Sequence, residues 1–106
     1  IEADGSVYPC DFYMLDEYKL GNMNDTTIAA MDEKRKEIGF IEESLKLAQE
    51  CGQCEFYGIC RGGCQRSRFK TDHERYKNYF CEGYKVFFKE CLPRMLQIAD
   101  EIKQKR

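Results

Sequence analysis

From Cys51 to Cys64 the chain reads CGQCEFYGICRGGC, four thiols in fourteen residues at the spacing C-x2-C-x5-C-x3-C. Thiols at that density are held by metal, by disulfides or by both, and whatever holds them fixes the surrounding loops. Two residues between Cys51 and Cys54 are about the span that a chelating turn needs. Between Cys60 and Cys64, Gly62 and Gly63 let backbone pass close to a bulky inorganic body with no side chain intruding. Cys10 precedes the run and Cys81 follows it after sixteen residues, so the thiols outnumber the four ligands of one zinc. Either more than one metal centre is built here, or one centre with thiols to spare.

The cysteines number seven, an odd count, and no secretory leader is visible, which weakens a disulfide framework. Soft thiolate ligation in a reducing compartment, the cytoplasm, is the better expectation. A chain of 106 residues suits one domain, residues 1–106, whose modest core leaves a metal staple something to do. Charged residues at 34% and a mean hydropathy of -0.68 describe a well-solvated surface. A net charge of -2 gives no case for nucleic acid or a lipid surface, and no apolar run is long enough to span a membrane. The opening IEADGSVY reads as a strand already under way, so a piece of a longer protein is expected.

Along the chain, Asp4-Gly5 suits the turn of a short hairpin between Glu2-Ala3 and Ser6-Val7-Tyr8, whose second arm delivers Pro9-Cys10-Asp11. Residues 12–20 have no clear period and read as a structured loop ending at Leu20-Gly21-Asn22. Asp25 or Thr26 is the expected N-cap of a helix carrying Ile28, Ala29 and Met31. A second helical stretch over about 34–48 puts Ile38, Ile41, Leu45 and Ala48 on one inward stripe. Residues 61–78 carry six Lys or Arg against two acids. That is a solvated face, or a set of cations beside a negatively charged metal centre. From Cys81 to Lys105, Tyr84, Phe87, Phe88, Cys91, Met95, Ile98, Ala99 and Ile102 trace a long amphipathic helix, with a kink or break expected near Pro93. Cys91 on that stripe reads as a small buried hydrophobe and not a ligand, and His73, in a charged run, as a surface residue. The fold expected is α+β and mostly helical, with a short N-terminal β-hairpin, cysteine-rich metal-binding loops and a long C-terminal helix.

The cysteine pattern, with Gly5 to Cys10 supplying a G-x4-C element as GSVYPC and Cys81 as the final thiol, resembles the SPASM domain. That domain is the auxiliary-cluster region of radical S-adenosylmethionine enzymes. Within the superfamily, DGSVYPCDFYMLDEYKLGN resembles the anaerobic sulfatase-maturating enzymes more closely than the other peptide maturases. The chain has no C-x3-C-x2-C motif, so S-adenosylmethionine cleavage would belong to a radical SAM domain elsewhere in a parent protein.

The resemblance implies two [4Fe-4S] clusters with crossed ligation. Cys51, Cys54, Cys60 and Cys81 would hold the distal cluster. Cys64 would return to the proximal one together with Cys10 and two upstream cysteines. It also implies that a sulfatase polypeptide is the substrate, its Cys or Ser being oxidised to formylglycine. In that chemistry a deoxyadenosyl radical removes a hydrogen, a base takes the thiol or hydroxyl proton, and an electron leaves through the auxiliary clusters. Asp11 matches the family position of the base, and part-burial beside an anionic cluster would raise its pKa toward neutrality. Read without the resemblance, Asp11 caps a turn or pairs with a cation. Tyr8, Phe12, Tyr13 and Tyr18 either line the substrate pocket or pack a core. Two other functions stand beside this one. The chain is maturing a different peptide, or it is a structural zinc module with Cys51, Cys54, Cys60 and Cys64 in a tetrahedron.

Overall fold

Asp4-Gly5 does form the first turn, and the side chain of Asp4 builds it by accepting from the Ser6 N–H at 2.8 Å while Gly5 takes φ +89°. The computed structural model describes residues Ile1–Arg106. Strand β1 (Ser6–Val7) finds its partner in β2 (Gly21–Asn22), antiparallel, with Ser6 opposite Asn22 and Val7 opposite Gly21. The expected first arm, Glu2-Ala3, contributes two bonds, both through Glu2: its N–H donates to the Ser6 carbonyl at 2.8 Å and its carbonyl accepts from the Gly5 N–H at 3.0 Å. The turn chemistry was local and therefore readable, whereas the strand's partner lies beyond an intervening loop. That loop holds two 3-10 turns, Asp11–Tyr13 and Asp16–Tyr18. Tyr13 is buried and meets Tyr18 and Phe40 edge to face at 4.8 and 5.1 Å, so these aromatics pack a core; Phe12 is 62% exposed.

Helix α1 spans Ile28–Ile38 and is capped by Thr27, one residue beyond the expected caps, whose hydroxyl accepts from the Ala30 N–H at 3.1 Å. Gly39 ends it in the left-handed conformation, φ +69°, and the five-residue α2 (Phe40–Ser44) starts a new direction. The single helix expected over 34–48 is thereby cut in two. Its inward stripe does not form: Ile41 and Leu45 are exposed, and only Ala48 of the later positions is buried. The residues gather into two compact units, Ile1–Lys46 and Leu47–Arg106.

The second unit begins with two short helices, α3 (Gln49–Gly52) and α4 (Tyr57–Cys60). A hairpin of β3 (Arg68–Lys70) and β4 (Tyr76–Asn78) follows, paired antiparallel with Phe69 opposite Lys77. The hairpin then feeds α5, Cys81–Gln104. Leu47 bridges to Tyr76 in parallel, and the Ala48 N–H donates to the Tyr76 carbonyl at 2.9 Å, so the chain enters the cysteine run already docked on β4. Pro93 neither breaks nor ends α5, which runs unbroken for 24 residues. The apolar stripe read from its sequence divides: Tyr84, Phe88 and Cys91 are half-buried, while Phe87, Met95, Ile98 and Ile102 are exposed. No helix is long and apolar enough to cross a membrane.

The two glycines of RGGC serve the polypeptide first. Gly62 and Gly63 have φ of +82° and +65°, and a Cβ on either would come within 2.3 Å of Leu47 or of the buried Asn78. Arg68 locks the same turn by donating to the carbonyls of Arg61, Gly62 and Gly63 at 3.3, 3.0 and 3.0 Å. Gly63→Ala is expected to cost about 2 kcal/mol or more, through left-handed strain plus the clash with Asn78. Gly83→Ala, in open space on α5, is expected to gain up to about 1 kcal/mol from helix propensity. Denaturant unfolding of the two variants checks the contrast.

Candidate metal centre

Within the second unit the cysteine run folds as consecutive tight turns. Cys51 N–H donates to Ala48, Cys54 N–H to Cys51 and Tyr57 N–H to Cys54, at 2.9, 3.2 and 3.0 Å. The Cys60 N–H then reaches the Phe56 carbonyl at 2.9 Å, closing α4. Each turn places its cysteine on the same side of the loop. Phe56, at the middle of the run, is buried against Phe88 of α5 with ring centroids 5.7 Å apart, and Tyr84 meets Phe88 edge-on at 5.9 Å. Cys81, Tyr84 and Phe88 stand at i, i+3 and i+7, one face of the helix. Packing that face on Phe56 therefore swings Cys81 over the loop.

The result is a cavity of about 300 Å³ lined by Cys51, Cys54, Cys60 and Cys81 together with Lys77 and Lys85. All seven cysteines are unbridged. Three of the lining thiols are coupled: the Cys51 thiol is pushed up by burial first, then by the charges of Cys81, Glu50 and Cys60, with Lys77 pulling the other way. No group of three or more His, Cys, Asp or Glu side chains closes around a single ion. A tetrahedral zinc would need its sulfurs about 3.8 Å apart, given Zn–S bonds of about 2.3 Å. Four thiols lining one cavity are the donor set of an iron-sulfur cluster.

The remaining thiols fall elsewhere. Cys64 is exposed and outside the cavity, so the set proposed for a zinc module, Cys51, Cys54, Cys60 and Cys64, is not brought together. Cys91 is half-buried on α5, also outside it. Cys10 belongs to the first unit, where its thiol donates to Asp11 Oδ1 at 3.5 Å. Asp11 opens the Asp11–Tyr13 turn, which is closed by the Tyr13 N–H on the Cys10 carbonyl at 2.9 Å and anchored by buried Tyr13. The carboxylate itself is exposed, in contrast to the part-burial expected for it. His73 is exposed in a tight bend at φ +60°. Of the basic run, Arg68 and Arg75 serve the backbone, Arg75 donating to the Leu47 carbonyl at 2.9 Å, and Lys77 alone reaches the cavity wall. Lys85 lies outside that run and was not singled out from the sequence; its signal was the i+4 spacing from Cys81.

A family model described as an iron-sulfur cluster-binding domain, SPASM, matches residues 1–55, more than half of the chain. The chain belongs to the SPASM family. The matched part of this SPASM domain takes in Cys10, Cys51 and Cys54. The Cys-type anaerobic sulfatase-maturating enzyme of Clostridium perfringens strain 13 is 45% identical over 104 residues, covering 97% of this chain and 28% of that protein. The Ser-type anaerobic sulfatase-maturating enzyme of Bacteroides thetaiotaomicron is 35% identical over 98 residues, covering 90% of this chain and 24% of that protein. Among solved structures, native anSMEcpe with bound AdoMet and Cp18Cys peptide superposes with a TM-score of 0.77 at 45% identity, over 96% of this chain and 28% of that one. This SPASM chain thus spans about a quarter of the length of the relatives it matches.

With its pKa raised, Cys51 keeps a smaller thiolate fraction than an unperturbed thiol at any pH below that range. In the metal-free chain at pH 8, Cys51 is expected to be alkylated by iodoacetamide several-fold more slowly than exposed Cys64. Lys77→Gln should slow Cys51 further, and raising the pH should narrow the gap. Mass spectrometry of tryptic peptides over a time course measures all three effects.

Proposed function

We propose that this chain is the auxiliary-cluster domain of an enzyme that oxidises a Cys or Ser side chain of a sulfatase to formylglycine. The observation that carries the proposal is the convergence of Cys51, Cys54, Cys60 and Cys81 on one cavity. Membership of a cluster-binding family and the similarity to sulfatase-maturating relatives support it. In this reading those four thiolates hold the distal [4Fe-4S] cluster. Cys10 and Cys64 supply two ligands of a proximal cluster, whose other two come from cysteines in the parent protein. A bound cluster supplies a one-electron acceptor at little reorganisation. The radical SAM domain of the parent binds S-adenosylmethionine, and the cytoplasm is the compartment that keeps all of these thiols reduced.

The residues of this chain have separate tasks. The turns of the cysteine run and the Phe56–Phe88 contact hold four sulfurs at fixed positions. Asp11 is the general base: it takes the proton from the substrate thiol or hydroxyl as the side-chain carbon is oxidised by two electrons. Its exposure leaves it open to a polypeptide substrate, and the turn anchored by Tyr13 fixes the direction in which it points. Few apolar side chains are buried, namely Tyr13, Met31, Leu47, Ala48 and Phe56, so cluster loading should contribute materially to stability.

Reconstituted anaerobically with iron and sulfide, the 106-residue chain is expected to turn brown and bind about four irons, the complement of one cluster. Cys81→Ser should lose most of that iron and Cys91→Ser should keep it. Eight tightly bound irons per chain, or colourless protein loaded only with zinc, would contradict the ligand assignment. In the full-length enzyme, Asp11→Asn is expected to lower turnover of a sulfatase peptide by about 10²-fold or more with iron content unchanged. Unchanged turnover removes Asp11 from the mechanism.

A further inference from the structure

We propose that Lys77 and Lys85 set the reduction potential of the cluster held by Cys51, Cys54, Cys60 and Cys81, with Glu50 and Glu82 tempering their effect. The inference rests on the reading of the four-thiol cavity given above, and adds residues that are not ligands.

The two lysines reach the cavity wall from different elements, Lys77 from β4 and Lys85 from the first turns of α5. Lys77 is held there with only 21% of its side chain exposed, its Nζ 3.2 Å from Glu50 Oε1. Lys85 Nζ lies 3.5 Å from Glu82 Oε1. Each ammonium is therefore shared between a carboxylate at its side and the thiols in front of it.

Four thiolates around a cubane core of two positive charges leave a net charge of about -2, and reduction adds one more. A fixed cation beside the site favours the more negative state, and so raises the potential; a fixed carboxylate does the reverse. The cavity wall is low in dielectric on the side of Phe56 and Tyr57, so these charges are screened less there than at an open surface. Lys77 and Lys85 line the cavity together with Glu50 and Glu55, and Glu82 pairs with Lys85, so cations and acids act there as a graded adjustment.

The test is a spectroscopic redox titration of the reconstituted 106-residue chain. Lys77→Gln with Lys85→Gln is expected to shift the reduced-to-oxidised ratio at fixed poise about tenfold toward oxidised, which is about 59 mV for one electron. Lys77→Arg with Lys85→Arg should restore wild-type behaviour within about twofold, because charge and not shape is at work. Glu50→Gln should move the ratio the other way. Lys89→Gln, an exposed change on the same helix, serves as the control and should leave it in place. A double Gln variant that keeps its iron and titrates with the wild type overturns the proposal while leaving the ligand assignment intact. A wild-type chain that binds no iron and sulfide overturns the ligand assignment itself.

Discussion

The contact of Phe56 with Phe88 is what the second unit depends on. Four sulfurs can line one cavity only if a thiol at the start of α5 is carried back over a loop that ended twenty residues earlier at Cys60. Phe56 stands between Cys54 and Cys60; Phe88 stands two helical turns beyond Cys81 on the same face. Packing one ring on the other therefore fixes the rotation of α5 about its axis as well as its distance from the loop. A helix of the same sequence rotated by a third of a turn would point Cys81 at solvent. The first turn of a long helix also suits a thiolate electrostatically, because its unpaired N–H groups and macrodipole favour negative charge there.

The hairpin between loop and helix supplies the remaining restraint. Backbone bonds tie Leu47-Ala48 to Tyr76, and Arg75 holds the Leu47 carbonyl, so the entry to the cysteine run is fixed on β4. Arg68 of β3 fixes its exit by gathering three consecutive carbonyls of the RGGC turn. Two arginines of one short hairpin thus hold both ends of the loop that carries Cys51, Cys54 and Cys60. Asn78 then turns the chain into α5, its Oδ1 accepting from the Phe80 N–H at 3.1 Å. Of the six basic residues that composition alone assigns to a solvated face, Arg68 and Arg75 are here donors to loop carbonyls.

How far the sequence reached follows from the range of the interactions involved. The cysteine spacing was legible because chelating turns are local, and the Asp4-Gly5 turn because its side-chain bond spans two residues. The break at Gly39 was not, since apolar residues on both sides keep a helical period that a single left-handed glycine interrupts. The β1–β2 pairing joins two-residue strands with no alternation to read. On α5, periodicity reported that one stripe is apolar but not which part is covered. Within this chain Phe56 covers the end bearing Tyr84 and Phe88, while Met95, Ile98 and Ile102 stay exposed. Resemblance to a family linked Cys81 to the distant run, a pairing that spacing alone left open between Cys64 and Cys81.

Gathering thiols has an electrostatic cost that explains the rest of the cavity wall. As each thiol ionises it raises the cost of ionising the next: the Cys51 thiol is pushed up by burial first, and then by the charges of Cys81, Glu50 and Cys60. Metal binding to thiols expels their protons as the bonds form. Lys77 and Lys85 lessen the repulsion between thiolates, and their partners Glu50 and Glu82 keep the lysines from being isolated charges when the thiols are neutral. Lys77, Lys85, Glu50 and Glu55 all line the cavity, so its wall carries charges of both signs. A purely apolar wall would suit the neutral thiols alone, and a purely cationic one would suit the loaded state alone.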